Sequence, residues 1–91
     1  MNELVESSLM VQGTTDARMR SAIANAARAL SVKGRISDLG GGSIEVIAQG
    51  RSDSVDALVK KIRGLPGVET LNVLKTQPIA RAGERFLAFQ A

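Results

Sequence analysis

The side chains of this chain that could do chemistry include its arginines and aspartates, and the sequence contains no histidine and no cysteine. Imidazole general bases, thiolate nucleophiles, disulfide bonds and zinc sites built from cysteine and histidine are therefore excluded. A guanidinium such as that of Arg20 can hold a phosphate with paired hydrogen bonds. Ionised carboxylates such as those of Asp16 and Asp38 only accept hydrogen bonds. What these groups do depends on the elements that position them.

Length and composition favour one domain over residues 1–91, with room for a single modest hydrophobic core. The net charge of +3, from 12 basic and 9 acidic residues, permits an anionic ligand but does not require one. The first residues show no basic stretch followed by a long apolar run, and no segment is long enough to span a bilayer. We therefore expect a cytoplasmic protein that binds no membrane, no metal and no cofactor.

Hydrophobic periodicity predicts two helices between short strands. Apolar residues recur at helical spacing over residues 19–30 and again over residues 55–62, and residues 14–16 offer suitable N-caps for the first helix. Residues 44–48 place their apolar side chains alternately, as in a sheet covered on one side. Before them, three consecutive glycines at residues 40–42 allow the positive φ that a tight hairpin turn needs.

The predicted order is strand, helix, strand, strand, helix, strand, with one further C-terminal strand. This is the α+β, ferredoxin-like βαββαβ plan, an antiparallel sheet with two helices on one face. The predicted strands are residues 9–13, 32–39, 43–49, 68–75 and 86–89. The first predicted helix begins at residues 14–16 and ends at residue 30, and the second begins at residue 52 or 54 and ends at residue 64. Residues 78–84 are predicted to form a loop.

Five segments resemble the acylphosphatase family. The most specific is the hairpin, where residues 42–50, Gly-Ser-Ile-Glu-Val-Ile-Ala-Gln-Gly, are similar to the family's most recognisable strand, and residues 30–34, Leu-Ser-Val-Lys-Gly, to the corner before it. Residues 11–13, Val-Gln-Gly, resemble the start of the family's phosphate loop, residues 63–68 its glycine-proline segment, and residues 83–89 its closing strand. The resemblance implies an acylphosphatase-like fold and hydrolysis of the carboxyl-phosphate bond of acyl phosphates.

The resemblance also implies a catalytic arginine that holds the phosphoryl oxygens, an asparagine that orients the attacking water, and loop N–H groups that complete an anion cradle. Counted from residues 30 and 34, Arg20 falls at the arginine position and Asp38 at the asparagine position. Arg20 could instead be an exposed helix arginine, since Arg18 and Arg28 lie near it, and Arg18 is an alternative match that shifts the helix out of step. The implied phosphate-binding residues are Gly13, Thr14, Thr15, Asp16, Ala17 and Arg20.

Two aspartates depart from the family's pattern. Asp16 puts a carboxylate where phosphate should bind, in a loop that lacks the inner glycine that lets the backbone approach a phosphate. The favoured interpretation of Asp16 is a helix N-cap, which would fill the anion site from within. Asp38 replaces a donating amide with a carboxylate that repels phosphate, unless it is a hairpin-turn aspartate or forms a salt bridge with Arg20. We therefore expect a degenerate active site, with weak or absent acyl phosphate hydrolysis and a small phosphorylated or anionic ligand.

The residues also bear on two other classes of function. Residues 62–73 resemble the helix-to-strand passage of ACT-type ligand-sensing domains, so a non-catalytic ligand-binding or protein-interaction module is the alternative. Such modules pair through sheet edges or helix faces, and a homodimer is expected on this alternative. Nucleic-acid binding is not expected, because the central strands carry no aromatic residue and the basic residues are scattered.

Overall fold

The computed structural model describes residues 3–80 of the 91-residue chain. The predicted strand at residues 86–89, the resemblance at residues 83–89 and most of the predicted loop at residues 78–84 lie outside this range. The described elements are β1 (Leu4–Gly13), α1 (Ala17–Ala29), β2 (Lys33–Gly40), β3 (Ser43–Arg51), α2 (Ser52–Arg63) and β4 (Val68–Pro78).

The four described strands form one sheet in the order β2-β3-β1-β4, and every neighbouring pair is antiparallel. Helix α2 packs against β1, β3 and β4, while α1 packs against β2 and α2. The strands β1 and β2 run in the same direction and are separated by β3, which is the split arrangement of the ferredoxin-like plan. The predicted fold class is confirmed.

Strand β1 begins at Leu4, five positions before the predicted start at residue 9. Every second residue of β1 from Val5 to Val11 is buried, including Ser7. The hydroxyl of Ser7 lies 2.9 Å from the hydroxyl of Thr76 on β4, which satisfies a polar group that would otherwise be costly to bury. The predicted strand was too short because Ser7, a polar residue at a buried position, interrupts the alternation of apolar residues.

The hydrophobic core lies between the two helices and the covered face of the sheet. The predicted buried stripe of α2 is confirmed at Val55, Leu58 and Ile62, and Val59 is half-buried. The largest side chains that are fully buried come from every layer, and they are Leu9, Val11, Ile23, Ile44, Val46, Leu58 and Ile62. The apolar face predicted for residues 44–48 therefore forms the floor of this core.

Ile62→Val is expected to lower the free energy of unfolding by about 1 kcal/mol, because it removes one carbon from a fully buried side chain and neighbouring groups refill the space only in part. Urea denaturation measures the change. Ile47→Val makes the same chemical change at a half-buried position, where we expect a clearly smaller loss. Equal losses at both positions would contradict the burial of Ile62.

Candidate functional site

Three loops meet at the edge of the sheet where β1 ends. Gly13, the last residue of β1, donates its N–H to the carbonyl of Gly42 in the β2–β3 hairpin at 2.9 Å. Thr14 donates its N–H to the carbonyl of Gly67 in the α2–β4 loop, also at 2.9 Å. Both N–H groups were predicted to bind phosphate, but each already has a backbone acceptor. Gly13 and Thr14 therefore position the loop, and the N–H donors left for an anion begin at Thr15.

Gly13 lies too close to the backbone of Gly67 to carry a side chain. Gly13 has φ of 144°, and a Cβ added there would collide with the carbonyl oxygen of Gly67. Gly67 has φ of 92°, and a Cβ there would lie 3.3 Å from Cε of Met19. Gly67 was not among the predicted site residues, although the Gly-Leu-Pro-Gly segment at residues 64–67 was a signal that could have pointed to it.

Asp16 is the N-cap of α1. Its Oδ1 accepts the N–H of Met19 at 3.0 Å, and its backbone carbonyl accepts the N–H of Arg20 at 3.1 Å. The N–H groups of residues 15–18 donate to no other group in the described part of the chain. Backbone N–H groups without an acceptor and the carboxylate of Asp16 thus lie together at the start of α1. The carboxylate interacts favourably with the helix dipole and competes with any anion approaching those donors.

Asp16→Ala is expected to lower the free energy of unfolding by about 1 kcal/mol, because the N–H of Met19 loses its acceptor. Asp16→Asn should change it little, since an asparagine oxygen caps a helix about as well. Thermal or urea unfolding of the two variants tests the cap. A loss in the asparagine variant as large as in the alanine variant would show that charge, rather than capping, is what Asp16 contributes to stability.

Arg20 is held against the loop that precedes its helix. The side chain is half-buried, and its Nη1 donates to the carbonyl of Thr15 at 2.9 Å. A guanidinium has five N–H donors, so most of them are left for other acceptors. Among the described residues the salt bridge is the exposed pair Arg51–Asp53, and the pairing of Arg20 with Asp38 that the sequence suggested is not formed.

Asp38 lies near the end of β2, on the side of the sheet that the helices cover. It is paired with Ile44 of β3, which is paired in turn with Val11 of β1. Directly opposed residues point to the same face, and both Ile44 and Val11 are buried there. The side chain of Asp38 is exposed, and its Oδ1 accepts the N–H of Gly40 at 2.8 Å. One oxygen of Asp38 thus serves the hairpin turn, and the exposed carboxylate remains at the edge of the sheet where α1 begins.

A groove of about 410 Å³ runs beside this edge, between the start of α1 and the α2–β4 loop. Arg18, not Arg20, is the arginine in its lining, which consists of Thr14, Asp16, Arg18, Met19, Ala22, Leu65, Pro66 and Gly67. The sequence offered Arg18 and Arg20 as alternatives for one role. The structure separates them, since Arg20 contacts the loop and Arg18 faces the groove.

Within residues 3–80, no three acidic side chains come together in a way that could hold a metal ion. No helix in the same range is long and apolar enough to cross a membrane. The groups that lie at this edge include the backbone N–H donors of residues 15–18, Arg18 and Arg20, and the carboxylates of Asp16 and Asp38.

The strand order and the helix positions define a ferredoxin-like domain of the acylphosphatase type. The family model named Acylphosphatase matches residues 9–88, which is most of the chain. The chain therefore belongs to the acylphosphatase family. No curated protein matches it significantly.

Several solved structures share the fold. An acylphosphatase from Coxiella burnetii superposes with a TM-score of 0.74 at 21% identity, over 97% of this chain and 94% of that chain. An acylphosphatase from Bacillus subtilis gives 0.68 at 17% identity, over 93% of this chain and 94% of that chain. The BLUF protein BlrB gives 0.76 at 20% identity, over 99% of this chain and 72% of that chain. Likeness at such identities shows the fold and leaves the chemistry to be argued from the site.

Proposed function

We propose that this chain is an acylphosphatase-family domain whose hydrolysis of acyl phosphates is slow or absent. The observation that carries the proposal is the carboxylate of Asp38, which stands where the family resemblance implies an asparagine. Orienting a water for attack takes a group that accepts one hydrogen bond and donates another, and an ionised carboxylate only accepts. One oxygen of Asp38 is already used by the N–H of Gly40.

Asp16 supports the same proposal. The N–H donors of residues 15–18 are the part of the loop still open to a phosphoryl oxygen, and the Asp16 carboxylate sits among them. A phosphate must therefore approach a helix start that already holds a negative charge. The dipole at that end is equivalent to roughly half a positive charge, which one carboxylate offsets.

Arg20 keeps its proposed role of holding the phosphoryl group. Its contact with the carbonyl of Thr15 uses one donor and places the guanidinium beside the same loop. With Arg20 as the cation and residues 15–17 as N–H donors, the site retains the means to bind an anion weakly. What it lacks is the neutral amide that would assist the attacking water.

Hydrolysis of benzoyl phosphate by the unmodified protein tests the proposal. We expect turnover close to the uncatalysed rate, and little further loss in Arg20→Ala. Turnover at the pace of an ordinary enzyme, roughly 10 per second, would overturn the proposal if Arg20→Ala abolished it. The arginine variant is needed because a contaminating phosphatase would not depend on Arg20.

A protein-interaction module, including a homodimer, is the second candidate function. It is favoured by β4, an edge strand of the sheet that residues 3–80 form, where Val73 is 47% exposed and Leu74 is 55% exposed. A register shift between Ser8 and Leu9 leaves Leu74 without a partner on β1. Sedimentation over a range of protein concentrations checks this candidate. A dimer that Leu74→Lys dissociates would support it, and a monomer at all concentrations would count against it.

A further inference from the structure

A second groove lies between α2 and β4, and we call it the outer groove. Its volume is about 280 Å³, and it shares no lining residue with the groove beside the start of α1. Along α2 the outer groove runs from Val55 to Arg63, which is about 12 Å at a rise of about 1.5 Å per residue. An extended peptide of about four residues has the same length. The described residues that line the outer groove are Ser7, Val55, Asp56, Val59, Lys60, Arg63, Val73 and Thr76.

The floor of the outer groove is apolar and only partly covered. Val73 is paired with the fully buried Leu9, so both side chains lie on the face of the sheet that the helices cover. Val73 is nevertheless 47% exposed, which shows that α2 does not extend over it. Beside it, the hydroxyls of Ser7 and Thr76 bond to each other at 2.9 Å, so these polar groups are already satisfied. The floor therefore suits a small apolar side chain.

Two cations stand on the α2 wall of the outer groove. Lys60 and Arg63 are three residues apart, which places them side by side on one face of the helix. Both are exposed, and within residues 3–80 neither side chain donates a hydrogen bond or forms an ion pair. Lys61, which lies between them in sequence, lines a different groove toward α1. All three can stabilise the dipole of α2, whereas Lys60 and Arg63 also flank an exposed apolar floor.

We propose that the outer groove binds an extended acidic segment of a partner protein. Two of its carboxylates contact Lys60 and Arg63, and a small apolar side chain packs on Val59 and Val73. Alternate side chains of an extended chain are about 6.6 Å apart, close to the separation of two residues three apart on a helix. Asp56 at the other end of the groove repels a ligand that is anionic throughout, such as a nucleic-acid backbone. The charges thus fit a segment that is acidic at one end only.

This assignment rests on the second candidate function for the existence of a protein partner, and it names that partner's chemistry and its binding surface. The contacts are made by side chains rather than by adding a strand to the sheet. The register shift between Ser8 and Leu9 and the exposed Lys75 both disfavour strand addition at the outer edge of β4. The assignment does not depend on the rate of acyl phosphate hydrolysis.

Two capped peptides measure the expected preference. The acidic peptide is acetyl-Glu-Ser-Glu-Ser-Val-amide, and its control carries glutamine in place of both glutamates. Two exposed ion pairs account for about a tenfold difference in affinity, so the acidic peptide should bind about ten times more tightly. Titrations followed by amide shifts in NMR spectra give both affinities. The shifts should lie along α2 and β4, and not at the start of α1.

Single substitutions of exposed residues assign the preference to the outer groove. Lys60→Ala and Arg63→Ala should each weaken the acidic peptide several-fold, and the double variant should bind the two peptides equally. Arg35→Ala, which removes an exposed arginine from β2 at the other edge of the described sheet, is the matched control and should change neither affinity. Val73→Ser should weaken both peptides without changing their ratio, because it alters the apolar floor and no charge.

Equal affinities of the wild type for the two peptides would overturn the proposal, and so would a preference that survives loss of both cations. Tighter binding of inorganic phosphate or of a short single-stranded RNA at Lys60 and Arg63 would also overturn it. A dimer that the Lys60 and Arg63 double variant dissociates would assign the outer groove to a second copy of the chain instead. A monomer that prefers the acidic peptide would remove the homodimer and support the proposal, whatever the rate of benzoyl phosphate hydrolysis.

Discussion

Asp38→Asn is expected to raise the rate of benzoyl phosphate hydrolysis by about ten- to a hundredfold. A unit negative charge about 4 Å from a phosphoryl oxygen costs on the order of 4 kcal/mol at an effective dielectric near 20, and about 1 kcal/mol in bulk water. Asp38 is exposed, so the cost should lie between these limits. Because about 1.4 kcal/mol corresponds to a tenfold change in rate, we expect the hydrolysis rate to rise by about one to two powers of ten.

The substitution should leave the hairpin intact. An asparagine Oδ1 can accept the N–H of Gly40 as Asp38 does at 2.8 Å, and the new amide adds the donor that the carboxylate lacks. Asp56→Asn, an equal change of charge at an exposed position on α2, is the matched control and should not alter the rate. A similar gain from both variants would show a general charge effect and would remove the argument for Asp38.

Gly13→Ala is expected to destabilise the protein by about 4 kcal/mol or to prevent folding. The new Cβ would occupy the position of the Gly67 carbonyl oxygen, and the residue would have to keep φ at 144°. Backbone strain of this kind costs of the order of 1–3 kcal/mol and overpacking a similar amount. Since small domains are stable by only about 5–15 kcal/mol, the loss would be a large part of the total.

Two other glycines provide graded controls for that result. Gly64, the C-cap of α2, has φ of −88°, and the nearest atom to an added Cβ is 3.7 Å away. Gly64→Ala should therefore stay within about 0.5 kcal/mol of wild type. Gly41 has φ of 62° with open space around it, so its alanine variant should lose about 1–2 kcal/mol from conformation alone. Urea unfolding of all three variants checks the order, and a mild effect at Gly13 would contradict the tight approach of the two loops.

Local patterns in the sequence were sufficient to predict most of the fold. Three consecutive glycines at residues 40–42 all adopt positive φ in the hairpin turn, as their lack of side chains allowed. The apolar periodicity of α2 correctly identified its buried face at Val55, Leu58 and Ile62. These features depend on residues close in sequence, which is why they could be predicted from the sequence without knowledge of the tertiary contacts.

The site was harder to predict because its geometry depends on contacts between distant segments. Nothing near Gly13 in the sequence indicates that its N–H would be taken by Gly42, or that Thr14 would be bonded to Gly67. The choice between Arg18 and Arg20 likewise depends on which guanidinium reaches the carbonyl of Thr15. The residue types indicated Arg18 and Arg20 as candidates. Which of them contacts the loop and which lines the groove depends on how the three loops pack together.

The most direct measurement is the ratio of kcat/KM for benzoyl phosphate between Asp38→Asn and the wild type, taken with and without Arg20→Ala. If the Asp38 carboxylate blocks an anion site that is otherwise assembled, Asp38→Asn should have a kcat/KM about ten to a hundred times that of the wild type when Arg20 is present. The ratio should be near unity when Arg20 is replaced. A wild type that already turns over rapidly, or an Asp38→Asn variant that gains nothing, would contradict this account of the site.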